Sequence, residues 1–472
     1  MKRHQLMHQH YCCQNFLFIN NSLQFYFQAT LPVQDIINNI PTRILRPEHT
    51  LSRRHISQAA LNVLYQLNKA GFQAFLVGGS VRDVLLGRVP KDFDVVTNAL
   101  PEQVKSLFRS CRLIGRRFVL AHVRLNKEIV EVATFRAHHD KGGDGVMEAG
   151  RIVRDNVYGG TVDDDVWRRD FTINALYYDI SDFSLLDYAN GIADLHAGTI
   201  RLIGDPKLRY QEDPVRMLRA ARFAAKLGFN IVPQTAEPIQ ELGNLLTDIP
   251  PARLFEEILK LFLGGHAIQS FVQLRQYNLF QQLFPYTDAC LDEPIALALI
   301  KQVLYDTDQR KIDNKPVAPA FLLAALLWPS LSRLLPDKPI KNFNQQEVLL
   351  EAAKLMLLKQ QERVAIPRRI AVLMQEIWLL QLRLTRPRRA KKKSLSLLEH
   401  PRFRAGYDFL ILRAKAGEEE VANDVDWWTN FLNSNDSSRE NLLSHHHASN
   451  KKRKRRRKPK NVQTEALDLE IG

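Results

Sequence analysis

A mixed α/β head followed by an all-α neck and body is the fold class that the sequence predicts, and three observations carry it. Between Phe72 and Phe135, short apolar runs suited to strands are separated by short helical stretches. From Asp205 onward helical periodicity takes over, and no alternating strand signal of comparable strength follows. The net charge of +15 is confined to two C-terminal runs, with six basic residues in RPRRAKKK (386–393) and nine in KKRKRRRKPK (451–460). Removing those fifteen from the 66 basic residues leaves 51, which matches the 51 acidic ones. The expected divisions are an N-terminal extension (1–50), an α/β head (51–190), a neck (191–250), a helical body (251–431) and a disordered basic tail (432–472).

Residues 1–50 lack periodicity and are expected to be poorly ordered. Their Phe16-Leu17-Phe18-Ile19 run is interrupted by Asn20, Asn21 and Ser22, too short and polar for a signal peptide or a membrane span. A helix is expected over Ser57–Ala70, with Ala60, Leu61, Leu64 and Leu67 on one face and Gly71 as its stop. Strands are expected at FQAFLVG (72–78), DFDVVT (92–97), FVLAHVRL (118–125) and EIVEVATF (128–135), with helices at SVRDVLLG and PEQVKSLFR between them. The head should close near Asp187. Beyond Asp205 the strongest helices are DPVRMLRAARFAAKLG, PPARLFEEILKLFLGG and AFLLAALLW, the last a core helix rather than a span, and the helical part should end around Phe431.

Composition narrows the function classes. A chain of 472 residues with 45% hydrophobic content can build two or three cored domains. Cys12, Cys13, Cys111 and Cys290 give neither a zinc spacing nor a disulfide framework, so a reducing, cytoplasmic setting is expected. Runs of like charge are commonly solvated tails. Two of them close together also form a footprint for a polyanion, whose phosphates release counterions to lysine and arginine.

Chemistry enters at VPKDFDVVTN (89–98), where Asp92 and Asp94 precede a β-branched run. In a strand that includes both, the period of two puts the carboxylates on one face and Phe93 on the other. Upstream, FLVGGSVRDVLLG reads as a strand that ends at Gly78-Gly79 and a helix capped by Ser80, with Gly87 as its stop. Glycines before a helix let backbone N–H groups approach an anion closely. Arg82 in the first turn needs an acid such as Asp83, or a phosphate, as partner. Eleven residues separate Ser80 from Asp92. This spacing sets a triphosphate holder beside a carboxylate pair suited to magnesium, and two such ions about 3.5–4 Å apart can run nucleotidyl transfer.

GGSVRD with KDFDV resembles the class II tRNA nucleotidyltransferase and bacterial poly(A) polymerase family of the polymerase β-like superfamily. Further matching blocks are RLIGRRFVLAHV (112–123), EVATFR (131–136), RRDFTINALYYD (168–179), GIADLHAGTIRLIGDP (191–206), EDPVRMLRAARFAAKLGF (212–229), IPPARLFEEILKLF (249–262) and LEHPRFRAGYDFL (398–410). The similarity covers roughly residues 55–430. The RLIGRRF block, the LEHPRFRAGYD block and the basic tail look more like the poly(A) polymerase branch than the CCA-adding one. The resemblance implies a polymerase β-like head with an elongated helical neck and body, ATP as substrate, two magnesium ions and RNA 3′ ends as partner. It implies a carboxylate triad of Asp92, Asp94 and Asp170. A physical rival for the third place is Glu131, because EIVEVATF could lie beside DFDVV. Arg169 and Asn174, with Asp170 under that second reading, would then contact the ribose. Gly78, Gly79, Ser80, Arg82 and Asp83 are expected around the triphosphate, and Asp213 and Arg216 at the adenine base.

One helix can be read without the family. Asp213 suits an N-cap, Pro214 the first helical position and Gly228 the stop. Arg216, Arg219, Arg222 and Lys226 fall in a stripe about 120° wide, while Met217, Leu218, Ala220, Ala221, Ala224 and Ala225 fill the rest. A nearly buried helix with one basic stripe fits the lining of a nucleotide cleft, which adds Arg219 and Arg222 to the ATP-binding set. His138-His139 reads as loop, His445–His447 as an incidental run, and Trp427-Trp428 as core or a partner-facing pair. The expected protein is thus a monomeric, template-independent RNA adenylyltransferase that promotes RNA turnover. The alternatives are a CCA-adding enzyme on the same fold and a noncatalytic RNA-binding protein.

Overall fold

The β-branched and aromatic runs of the head become one eight-stranded sheet. The computed structural model describes residues 40–115, 119–136, 144–148, 151–336, 344–385 and 391–434, with backbone alone for 144–148, 151–156 and 391–394. The chain divides into two units after Ile40, and the sheets and helices of the described residues belong to the second. Strands β1 (Thr42–Ile44), β2 (Ala74–Val77), β3 (Asp94–Thr97), β4 (Cys111–Ile114), β5 (Leu120–Leu125) and β6 (Glu128–Thr134) precede a separate hairpin of β7 (Asp144–Glu148) and β8 (Arg151–Asn156). Then β9 (Leu176–Asp179) and β10 (Leu185–Asp187) complete the sheet in the order β1-β10-β9-β2-β3-β6-β5-β4. Within this sheet β3 and β6 are the one parallel pair among the described strands, so β3 is wedged between an antiparallel and a parallel neighbour at the sheet's centre.

Helices α1 (Gln58–Lys69) and α3 (Pro101–Leu107) cover one face of the sheet, where Ala60, Leu64, Leu76, Phe93, Val95, Val123 and Val132 share a core. The Ser57 hydroxyl caps α1 by accepting from the Ala60 N–H at 3.1 Å. Helix α4 (Val162–Trp167) packs on the opposite face with Phe75, Val77, Val96, Phe135 and Tyr177. Between α1 and α3 in the chain lies α2 (Gly79–Leu85), the helix that follows the glycine turn.

Four expectations shift here. The last part of the stretch read as an extension joins the head, because β1 pairs with β10. Strand β3 begins at Asp94, so Asp92 stands in the turn before it and not in the ladder. The N-cap of α2 is Gly78 rather than Ser80, whose hydroxyl instead donates to the Val77 carbonyl at 3.2 Å. Strands β1, β4, β9 and β10 escaped the pattern reading, all four having only three or four residues at edges or beside turns.

The helical part opens with α5 (Gly191–Ala197), α6 (Pro206–Glu212) and α7 (Val215–Leu227), followed by α8 (Pro233–Leu242) and α9 (Pro251–Phe262). Further helices run from Ala267 to Asn433, matching the expected end. Helix α7 starts one residue later than expected, with Pro214 as N-cap, although the Asp213 carboxylate still accepts from the Val215 N–H at 3.3 Å. It stops as expected at Gly228, which is left-handed at φ 75°. Among the described residues beyond Asp205 the one strand is Asn230–Ile231, two residues that pair with Thr199–Ile200, so the helical reading holds there. A single apolar core links α7 to the later helices through Leu218, Ala221, Ile258, Phe262, Leu274 and Leu323. Trp428 is core, packed on Phe403 and Phe431, and its indole N–H donates to the Leu384 carbonyl. No helix among the described residues is long and apolar enough to cross a membrane. His138-His139, His445–His447, the 451–460 run and most of the 386–393 run lie outside the described residues.

Candidate active site

The turn after β2 sets the geometry. Gly78 sits at φ 75°, ψ −133°, a conformation that side chains disfavour, and a Cβ there would lie 3.8 Å from Arg169 Nη1 and 3.9 Å from Asp94 Oδ2. The turn therefore presents bare backbone to one cation and one anion. Strand pairing puts Asp94 level with Val77 on one side and with Glu131 on the other. Phe93 and Val95 point into the α1 face, whereas Val96 points the opposite way. By parity the Asp94 carboxylate shares the Val96 side.

Asp94 and Glu131 are like charges on adjacent strands. Burial first, then Glu131, pushes the Asp94 carboxyl up to about 6; Asp92 adds to the rise, and Arg169 only partly opposes it. The Asp92 side chain is 72% exposed, with Lys91 Nζ at 4.0 Å. Among the described residues no three His, Cys, Asp or Glu side chains are gathered into a ready metal-ligand group. What is present is a buried acid destabilised by a second acid, with a third on the preceding turn. That unbalanced negative charge, carried on oxygen donors alone, fits a hard divalent cation.

Asp170 has a different environment. Its Oδ2 accepts from Arg219 Nε at 2.7 Å and also pairs with Arg219 Nη2, while its Oδ1 accepts from Asn174 Nδ2 at 3.2 Å and from the Phe171 N–H at 2.8 Å. Burial alone would raise this carboxyl; Arg219, Asn174 and the Phe171 amide outweigh it and hold it down to about 2. Asp170 is thus fully engaged. The neighbour that meets Asp94 is Glu131, whose side chain is 46% exposed against 11% for Asp170.

Arg82 is buried beneath the glycine turn. Its Nε and Nη2 donate to Asp83 Oδ1 at 2.9 and 2.6 Å, and its Nη1 donates to Asn174 Oδ1 at 2.6 Å. Arg169 is clamped differently, with Nε donating to the Tyr177 hydroxyl at 2.6 Å and Nη2 to Asp165 Oδ2 at 3.0 Å. The Tyr177 hydroxyl in turn donates to Asp165 Oδ2 at 2.8 Å, leaving Arg169 Nη1 directed toward the turn. Pattern reading missed Asp165 and Tyr177. The four-residue spacing from Asp165 to Arg169 was the available signal, whereas nothing local announces Tyr177 on β9.

Along α7 each member of the expected basic stripe meets a carboxylate. Arg216 Nη1 donates to Glu212 Oε2 at 2.9 Å, Arg219 to Asp170, and Lys226 Nζ to Asp83 Oδ2 at 3.3 Å, while Arg222 Nε lies 3.8 Å from Glu257 Oε2. Asp213 Oδ2 accepts from Arg253 at 2.8 Å, so Asp213 and Arg216 are turned to different partners. Phe223, which interrupts the stripe in sequence, carries the guanidiniums of Arg82, Arg219 and Arg222 at 5.1, 5.5 and 4.6 Å from its ring centre. Three arginines are pushed down by burial first and by neighbouring arginines next: Arg168 to about 9, and Arg209 and Arg222 to about 10. They remain charged near neutrality, and the shift records positive charge crowded in a way that favours an anion.

Residues 74–201 match the poly A polymerase head domain family, 228–291 the probable RNA and SrmB-binding site of polymerase A, and 341–461 the polymerase A arginine-rich C-terminus. Poly(A) polymerase I of Escherichia coli O157:H7 is 50% identical over 401 residues, covering 83% of this chain and 85% of that protein. Poly(A) polymerase I of Haemophilus influenzae is 45% identical over 402 residues, covering 83% and 88%. The CC-adding tRNA nucleotidyltransferase of Halalkalibacterium halodurans is 36% identical over 225 residues, 48% of this chain and 54% of that protein. In fold, the Bacillus stearothermophilus CCA-adding enzyme in complex with CTP superposes with a TM-score of 0.52 at 24% identity, covering 83% of this chain and 82% of that one.

Proposed function

The chain belongs to the bacterial poly(A) polymerase family and is a polynucleotide adenylyltransferase, and from that premise we propose how its head carries out the reaction. The RNA 3′-oxygen attacks the α-phosphorus of ATP without a template, the bond to the β-phosphate oxygen breaks, and pyrophosphate leaves. Repetition gives an A tail, and the biological consequence we infer is RNA turnover in the cytoplasm.

The observation that carries this reading is the Asp94–Glu131 register beside Gly78 and Arg169. Asp92, Asp94 and a third acid would hold magnesium, two ions in this reading, which supplies activation of the hydroxyl and neutralisation of phosphate charge. Glu131 is the better third acid, because Asp170 is already matched by Arg219 while Glu131 raises Asp94. The Gly78-Gly79 backbone would take the triphosphate at close range, with Ser80 in the turn behind it. Arg169, fixed by Asp165 and Tyr177, would donate to a phosphate or ribose oxygen with little reorganisation. Arg82, Asp83, Asn174 and Asp170 would act from beneath by holding the turn and the RRD segment together. Asp213 and Arg216 would select adenine, a role that requires them to exchange their present partners, Arg253 and Glu212; Arg219 and Arg222 would set the potential around the nucleotide.

Incubating the protein with ATP alone, CTP alone or both together, and with two RNAs, a generic oligonucleotide and a tRNA lacking its end, tests the reading. Long A tails on both RNAs from ATP alone are expected. Incorporation that stops at CCA on the tRNA would overturn it in favour of the CCA-adding alternative.

A further inference from the structure

The acid pair belongs to a longer row. Antiparallel pairing of β5 with β6 sets His122 opposite Glu131, and parallel pairing of β6 with β3 sets Glu131 opposite Asp94. Ala121, Val123, Val130, Val132 and Val95 point to the α1 face, so His122, Glu131 and Asp94 line up on the other. His122 Nε2 is buried, makes no aligned hydrogen bond, and lies 3.3 Å from Glu131 Oε1. A glutamate that is 46% exposed has three turning side-chain bonds, and ordering it on a ligand carries an entropic cost.

We propose that His122 is the positioning residue of the metal site: a small turn of the ring or carboxylate lets its Nε2 proton be donated to Glu131 Oε1, 3.3 Å away, and so fixes that carboxylate beside Asp94. This rests on the reading of Glu131 as the third acid. His122 touches neither the metal nor the nucleotide, and its effect passes through Glu131. Oxygen ligands of metals are characteristically held by such hydrogen bonds from a second residue, and losing one typically weakens metal affinity or activity about 10–100-fold.

The test is Mn²⁺ binding to the full chain, followed by the loss of the free-ion spin-resonance signal, without ATP or RNA, together with the Mg²⁺ concentration that half-saturates AMP incorporation. Glu131→Gln and Asp94→Asn should both weaken Mn²⁺ binding strongly. His122→Leu should weaken it about 10-fold and raise the half-saturating Mg²⁺ by a similar factor, with kcat at saturating metal little changed. His122→Gln, which keeps an N–H near the Nε2 position, should restore most of the affinity. The double variant His122→Leu/Glu131→Gln should bind no more weakly than Glu131→Gln alone. If Glu131→Gln binds Mn²⁺ like the wild type, Glu131 is not the third acid and the role of His122 falls with it. If Glu131→Gln weakens binding while His122→Leu does not, or adds a further loss on top of Glu131→Gln, the reading of Glu131 stands and the role of His122 is overturned. Failure of His122→Gln to restore affinity overturns it too, because the loss then comes from packing.

Discussion

The acids of β3 and β6 and the cations of α7 are both clusters of one charge sign, and the fold treats them in opposite ways. On the strands, Asp94 and Glu131 face each other with Arg169 as partial relief, and Asp94 is driven up to about 6. On the helix, Arg216, Arg219 and Lys226 are each matched by a carboxylate from another turn or element, while Arg222 stands 3.8 Å from Glu257 without a hydrogen bond to it. A charge cluster left unbalanced is where a ligand is still needed; one that is already matched is part of the framework that holds the site. The difference also says where stability is given up. The strand pair opposes folding, whereas two of the helix pairs, Arg219 with Asp170 and Lys226 with Asp83, join neck to head.

Four substitutions break or sharpen this contrast. The largest effect is expected for Asp94→Asn, which should abolish AMP incorporation and yet stabilise the fold by about 1–2 kcal/mol at neutral pH, read from urea unfolding. The sign follows from the direction of the shift: a folded-state carboxyl raised from 3.8 to about 6 carries no penalty below pH 4, and its penalty grows as pH rises through 6. The advantage of the variant should therefore vanish near pH 4. A destabilised Asp94→Asn at pH 7 would mean that the strand acids are balanced after all.

Second, Arg219→Met should destabilise by about 3 kcal/mol, since it strands the buried Asp170 carboxylate, and Asp170→Asn in the same chain should recover much of the loss. Asp170 is held below its ordinary 3.8, at about 2, so its contribution is complete above pH 4 and is lost as pH falls toward 2. Acid unfolding that is unchanged in Asp170→Asn would contradict the pairing. Third, Gly78→Ala should cost about 1–2 kcal/mol from its positive φ, with a larger loss in kcat/KM for ATP because the turn must re-form. Smallest is Lys226→Met, where a partly exposed pair with Asp83 should contribute less than about 1 kcal/mol; a loss beyond 2 kcal/mol would mark that pair as a principal tie between head and neck.

Much of the fold could be read in the chain. Ser57 and Gly71 bracket α1, Gly228 stops α7, and the change of period near Asp205 marks where the sheet ends and the helices begin. Short edge strands such as β1 and β10 could not be read, since three residues of pattern carry little information and their pairing is made across about 140 residues of chain. At the site, the fold brings GGSVRD, DFD and RRD together, and the sequence offered Asp83 as a partner for Arg82, but the other partners could not be read. Asp170, which the resemblance implied as third metal acid with Glu131 as rival, is bound to Arg219, while Arg82, expected to meet Asp83 or a phosphate, is bound to Asp83 and also to Asn174.

By itself the sequence determined the family, the glycine turn and the period-two placement of a carboxylate beside Val95 and Val96, because these depend on residue types at fixed local spacing. Only the tertiary structure decided which charges are matched. Whether an acid is a ligand in waiting or half of an ion pair depends on what lies within a few ångströms of it. For Asp94 that is Glu131 from a strand 37 residues on, and for Asp170 it is Arg219 from a helix 49 residues on, proximities that strand register and helix docking create and that no local pattern encodes.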